Sequence, residues 1–339
     1  MHFSVMALDI GFGRTKIAVR YPKESDMFTD GFPSLAPRNV SGTLSTNVPN
    51  PAVNRTYIVN VNNVDFAVGP DVKFSLGGAT GSGRTLTDDF PMSVNYEALF
   101  LGALAHVDAT EIELLVMGLP VHTMDKYKKH LVTKFTGTFT VGARDVTIKK
   151  ILILPQPLGA MLHYGSIIDY SLNDGETRLI IDCGYVTTDW VVASGYRIIE
   201  SRSNGIPTGV SAILSAVADL ISKAEGTKFV NIERIDECLM NGKDLRIFKN
   251  NLSAEKLKNY VKNSHYIVDD CIKTISARVG DSTDLKSILV CGGGANYFLP
   301  AIQECFPLVE IELLDNSPYC NVRGFLLFGE SQLRRLEAA

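Results

Sequence analysis

One short pattern occurs twice in this 339-residue chain, and it limits the folds available more than any other feature. The first copy runs Leu8-Asp9-Ile10-Gly11-Phe12-Gly13-Arg14-Thr15-Lys16, between the apolar runs Val5–Leu8 and Ile17–Val19. The second runs Asp182-Cys183-Gly184-Tyr185-Val186-Thr187-Thr188-Asp189, again between apolar runs. Each places Gly two residues after Asp, and Thr four residues after that Gly. Apolar run, tight turn and apolar run predict a β-hairpin with its turn at a sheet end. Gly11 and Gly13 leave no Cβ between the backbone N–H groups and a ligand. Successive N–H groups in such a turn form a concavity for anions. Lys16 adds a point charge suited to phosphate oxygens. Asp9 would repel a bare phosphate, so its presence implies a hard cation such as Mg²⁺ between them. Two such hairpins, half a chain apart, predict two similar domains that serve one nucleotide.

Three further stretches carry chemistry. Ile151–Pro155 reads as a strand, and Pro157 suits the first position of a helix. Gln156 therefore sits at a strand-to-helix junction, where its neutral amide either orients a water or caps the helix. Leu289-Val290-Cys291-Gly292-Gly293-Gly294-Ala295-Asn296 is a strand meeting three glycines, which let the backbone lie flat against a base and ribose. Its spacing is not that of a dinucleotide-binding fingerprint. Asp315 to Phe325, with Asn321 and Gly324, precedes a C-terminal helix to about Leu336. Gly78–Thr85 nearly matches a P-loop, but Arg84 stands in place of the lysine and no good helix follows, which predicts a flexible surface loop.

The remaining chain supplies the frame. Residues 28 to 90 are rich in Pro, Asn, Ser, Thr and Gly with short alternating strands. Asn62-Asn63 marks a hairpin turn there. Residues 94–107 and 209–223 have helical periodicity, and Ile112–Pro120 reads as a buried strand. Ile232 to about Val279 reads as short helices. There Lys243 and Arg246 would either reach an adenine edge or sit in surface ion pairs. Lys126, Lys128, Lys129 and His130 form a basic helix face that reads as solvated surface or, as the weaker alternative, a DNA or partner site.

Composition excludes other classes. No apolar run approaches the roughly 20 residues of a membrane span. The first residues lack the basic region and cleavage site of a signal peptide, so no membrane partner and a cytoplasmic location are expected. Six scattered cysteines read as free thiols in a reducing compartment. A net charge of −4 argues against direct nucleic-acid binding.

The paired Asp-x-Gly hairpins resemble the two phosphate loops of the actin/Hsp70/sugar-kinase superfamily. Gln156 resembles the actin residue that positions the attacking water, and the glycine triplet resembles the superfamily's adenosine motif. The Gly118-Leu119-Pro120 strand end and the Asn321/Gly324 segment also resemble that group. The order of these motifs is similar to bacterial plasmid-segregation actins of the ParM/StbA type, many of which carry Glu where this chain has Gln156.

The resemblance implies an α/β, duplicated ribonuclease H-like fold with an interdomain nucleotide cleft. Domain I would comprise 1–165 and 318–339, with a β-rich lobe at about 28–90. Domain II would comprise 166–317, with a helical subdomain at about 225–283. Nucleotide contacts would come from Gly11, Gly13, Thr15, Lys16, Gly184, Thr187, Thr188, Gly205, Gly292, Gly293, Gly294 and Asn296. Thr188 would be the phosphate ligand among Thr187, Thr188 and Asp189. Asp9 and Asp182 would hold Mg²⁺, and Gln156 and Asp182 would serve catalysis. The implied activity is hydrolysis of ATP (or GTP), coupled to filament assembly in plasmid or DNA segregation. The implied partners are further copies of the chain and a DNA-binding adaptor. Alternatives within the superfamily are a small-molecule kinase or phosphatase, a chaperone-like scaffold, or a cell-shape or division actin. Gln156 cannot act as the base that a kinase needs for its acceptor hydroxyl.

Overall fold

A computed structural model describes residues 1–39, 55–75, 84, 86–168 and 175–337. The chain divides into two compact units, Met1–Leu172 with Leu314–Ala339, and Asn173–Leu313.

The first unit is built on β1 (His2–Ile10) and β2 (Arg14–Val19), followed by β3 (Phe28–Pro33). A small hairpin joins β4 (Tyr57–Val61) to β5 (Val64–Val68) through Asn62 and Asn63. Both asparagines have positive φ, +52° and +63°, as a two-residue hairpin turn requires. Helix α1 (Val72–Ser75) is one turn long, and α2 (Val94–His106) is capped by the Ser93 side chain. Strand β6 (Glu111–Leu119), helix α3 (Met124–Phe135), strands β7 (Gly137–Val141) and β8 (Arg144–Pro155), and helix α4 (Gln156–Ile167) complete the series. The sheet order is β3-β2-β1-β6-β8-β7. β1 pairs antiparallel with β2 and parallel with β6, and β6 runs parallel to β8.

Central strands of such a sheet are covered on both faces and so read as continuous apolar runs. In β1, Met6, Leu8 and Ile10 join the large core beneath α2, with Leu99 and Phe100. Val5 and Ala7 face the opposite way, onto Val322, Phe325 and Leu326 of the C-terminal helix Cys320–Glu337. That helix meets α4 so closely that a Cβ on Gly324 would collide with the Gly159 backbone. Only glycine allows this approach.

The second unit repeats the construction. β9 (Thr177–Cys183) and β10 (Thr188–Ser194) form the leading hairpin, extended by β11 (Arg197–Ile198) and β12 (Asn204–Ile206), both antiparallel to β10. Helices α5 (Val210–Glu225) and α6 (Ile232–Asn241), the hairpin of β13 (Leu245–Ile247) and β14 (Asn250–Leu252), and helices α7 (Ala254–Asn263) and α8 (Tyr266–Val279) follow. Then β15 (Leu285–Cys291), α9 (Ala295–Cys305) and β16 (Glu310–Leu313) close the unit. The sheet order is β11-β10-β9-β15-β16, with β9 parallel to β15 and β15 to β16. In both units a hairpin comes first and lies beside parallel strands. All six cysteines are free; four are buried, and Cys238 and Cys305 are half-buried. No helix among the described residues is long and apolar enough to cross a membrane.

Candidate functional site

The turn between β1 and β2 is closed by the Gly11 N–H, which donates to the Arg14 carbonyl at 3.1 Å. Its three carbonyls are each tied to a donor. The Ser34 hydroxyl donates to Gly11 O at 2.6 Å, and the Ser34 N–H donates to Gly13 O at 3.1 Å. Between them, the Arg84 guanidinium donates to Phe12 O at 3.0 Å. Because the Ser34 proton goes to Gly11, its oxygen accepts from the buried Thr15 hydroxyl, 3.0 Å away. Thr15 thus braces the turn through Ser34. The N–H groups of Phe12 and Gly13 meet no acceptor among the described residues. With carbonyls held back and N–H groups left over, this backbone suits an anion.

The turn between β9 and β10 is assembled the same way. Its Gly184 N–H donates to the Thr187 carbonyl at 2.9 Å. The carbonyls of Cys183, Gly184 and Tyr185 accept from Gly294 N at 2.8 Å, Val210 N at 3.2 Å and Ser211 N at 2.7 Å. The donors here come from the glycine triplet and from the start of α5, where the first turn uses Ser34 and Arg84.

The two carboxylates sit in different surroundings. Asp9 is completely buried and pairs across the hairpin with Lys16. Lys16 Nζ lies 2.9 Å from Asp9 Oδ2, and Gln156 Nε2 donates to Asp9 Oδ1 at 2.7 Å. A carboxylate only accepts, so the amide must turn its NH₂ toward Asp9. Gln156 is the first residue of α4, yet the helix receives no side-chain cap. Its side chain serves Asp9 instead. In the second hairpin Asp182 lies opposite Asp189, and both are buried. Directly opposed like charges on one face are unfavourable without a partner. The Thr187 hydroxyl donates to Asp189 Oδ2 at 2.8 Å. Thr188, expected as the phosphate ligand of this group, is fully buried and donates to the Thr208 carbonyl at 2.6 Å.

The three glycines of the triplet have different surroundings. Gly292 has φ +92°, and a Cβ there would strike Asp182 Oδ1 and Cys183 O. A Cβ on Gly294 would strike Val210. Gly293 is exposed, and a Cβ there would meet nothing. Asn296, also exposed, is on the first turn of α9. Gly205 is buried in β12, opposite Asp189. Arg246 Nε donates to the Phe248 carbonyl at 3.2 Å, and Lys243 is exposed just before β13. In the P-loop-like stretch, residues 78–83 and Thr85 lie outside the described residues; Arg84 is half-buried.

Sequence patterns give no role to Ser34 or Tyr96, and they place Arg84 only in an expected surface loop, whereas it donates to the Phe12 carbonyl. Ser34 lies in β3's continuation and carries no motif. Arg84 is distant in sequence from the turn it holds. Tyr96 counts only as an apolar position on a helix.

Two family models account for most of the chain: "Actin like proteins N terminal domain" matches residues 7–159, and "Archaeal actin homologue MreB-like, C-terminal" matches residues 180–304. The chain belongs to the actin-like proteins. By sequence, this actin-like protein matches no curated protein. It is similar in fold to a ParM filament from Clostridium botulinum, at TM-score 0.77 and 20% identity, over 98% of this chain and 100% of the other. It is likewise similar to an archaeal actin homologue, at TM-score 0.76 and 18% identity, over 98% and 99%. That homologue in complex with ADP gives TM-score 0.72 at 18% identity, over 98% and 99%.

Proposed function

We propose that this actin-like protein is a filament-forming ATPase of the cytoplasm that works in plasmid or DNA segregation. The observation that carries the nucleotide reading is the twin construction of the two Asp-x-Gly turns. Each has the same Gly N–H closure, and each has its carbonyls tied back by protein donors. Backbone built this way in both halves of a duplicated chain fits a polyphosphate.

The roles follow from the surroundings of each group. The Phe12 and Gly13 N–H groups and Lys16 bind phosphate oxygens. Gln156 orients a water toward the terminal phosphate, because its amide both donates and accepts. Gly205, Gly293 and Asn296 border the ribose and base. The buried carboxylates of Asp9 and Asp182 are oxygen donors of the kind that suits Mg²⁺, and they would hold it largely through its waters. The ion would supply positive charge to offset that of the phosphate oxygens. The nucleotide is ATP or GTP.

Filament formation is supported by the likeness to a ParM filament. The net charge of −4 favours a DNA-binding adaptor over direct contact with DNA. Sedimentation and light scattering with ATP and Mg²⁺, alongside phosphate release, test the reading. ATP-dependent pelleting with turnover is expected, and Asp182→Ala should abolish turnover. A protein that stays monomeric with ATP, or an Asp182→Ala variant with full turnover, overturns it.

A further inference from the structure

Behind the first turn lies a small cavity of ≈ 20 Å³, bordered by Gly11, Phe12, Tyr96, His122, Thr123 and Gln156. Tyr96 is 1% exposed, and its hydroxyl has no hydrogen-bond partner among the described residues. The ring is fixed in place: Phe90 packs edge-on at 5.2 Å and Phe135 stacks at 6.0 Å. Phe90 also stacks on Phe12 of the turn at 4.9 Å, so the hydroxyl and the turn share one rigid aromatic row. An orphaned buried hydroxyl is costly, and native proteins rarely leave one. Burial, and after it the Asp9 carboxylate, push the phenol well above its ordinary pKa, so it remains a donor at every working pH.

Two of the other groups around this space, Gln156 and Thr123, offer acceptors. The Gln156 NH₂ is committed to Asp9, so its carbonyl oxygen is the end left to face elsewhere. The Thr123 hydroxyl donates to Pro120 O at 3.1 Å, which leaves its oxygen as an acceptor. The volume suits one water, and buried waters make about three hydrogen bonds. One donor and two acceptors match a single water that accepts from Tyr96 and donates to Gln156 and Thr123.

We propose that this cavity holds a fixed water through which Tyr96, as a positioning residue, locks the Gln156 amide with its oxygen outward from Asp9. The amide is then held at both ends, by Asp9 at nitrogen and by the water at oxygen, and cannot flip. The second lone pair on the amide oxygen remains to align the water that attacks the nucleotide. This inference rests on the assignment of Gln156 to that attacking water.

The test combines a nucleotide-free crystal structure at water-resolving resolution with Tyr96→Phe, which keeps the ring and deletes the hydroxyl. An ordered water within hydrogen-bond reach of the Tyr96 and Gln156 oxygens is expected. Tyr96→Phe should lower kcat five- to tenfold, leave the Kd for ATP unchanged and not raise the melting temperature. An empty cavity, or a Tyr96→Phe protein that melts higher with unchanged kcat, overturns the proposal. An ordered water with unchanged kcat overturns the positioning role. If the wild-type protein shows no turnover, the ATPase reading falls, and the presence or absence of the water decides this one.

Discussion

The Arg84 guanidinium donates a hydrogen bond to the carbonyl oxygen of Phe12, 72 positions away in sequence, at 3.0 Å. This contact sets one peptide plane of the first turn, with the oxygen directed to the arginine. Released, the Phe12 carbonyl is free to rotate toward incoming phosphate oxygens. A hydrogen bond from a charged donor contributes about 1.5–3 kcal/mol. Arg84→Ala should therefore weaken ATP binding by roughly tenfold and also lower the melting temperature by about a few degrees, since the bond it removes is already made in the nucleotide-free protein. Calorimetric titration with a non-hydrolysable ATP analogue measures this. Unchanged affinity would show that the turn holds its shape without the guanidinium.

Lys16 and Asp9 form a pair in which the acid is fully buried and the cation is 14% exposed. Removing one partner of such a pair strands a buried charge, at a cost of about 3–5 kcal/mol. Lys16→Met should lose about that much stability in denaturant unfolding, and lose nucleotide binding as well. Adding Asp9→Asn removes the stranded charge, so the double variant should regain most of the stability without regaining binding. If the double variant is as unstable as Lys16→Met, the pair is not what the lysine contributes to folding.

Much of this arrangement was legible in the sequence, for reasons that particular residues make plain. The hairpins, the Asn62-Asn63 turn and the helix after Ser93 follow from local rules of turn chemistry, capping and apolar period. The strand run Leu114–Leu119 is apolar because its sheet is covered on both faces there. What sequence could not supply was long-range pairing. Nothing local marks Ser34 as the donor to two carbonyls of the first turn, or Thr15 as its brace. Nor did the pattern tell Gly293 from its neighbours, since all three glycines look alike until the atoms around each are known.

That difference supports a separation of folding from binding. Gly292 takes positive φ and is pressed against Asp182, so alanine there is strained and collides with the carboxylate. Gly292→Ala should destabilise the protein by about 2–3 kcal/mol. A Cβ at Gly293 meets only open space, so Gly293→Ala should fold with wild-type stability. If the triplet lies against a base and ribose, Gly293→Ala will still weaken nucleotide binding severalfold. Thermal melts paired with nucleotide titration read both effects. Wild-type affinity in Gly293→Ala would remove that glycine from the binding surface.

His163 gives the fold a specific acid sensitivity. It is buried in α4, and its Nδ1 has no hydrogen-bond partner among the described residues. Burial, and after it the positive charge of Arg323, hold its pKa down to about 4 from the usual 6.5. The unfolded chain therefore takes up this proton more readily than the folded one. The resulting stability is complete above pH 6.5 and is lost as pH falls from 6.5 toward 4. A loss of about 1–2 kcal/mol by pH 4.5 is expected, after allowance for solvent screening. His163→Phe has no proton to gain, so its stability should change less over the same interval, whatever its value at pH 7. Denaturant unfolding of both proteins at half-unit steps from pH 7 to 4.5 makes the comparison. Parallel curves for wild type and variant would assign the acid sensitivity to other groups.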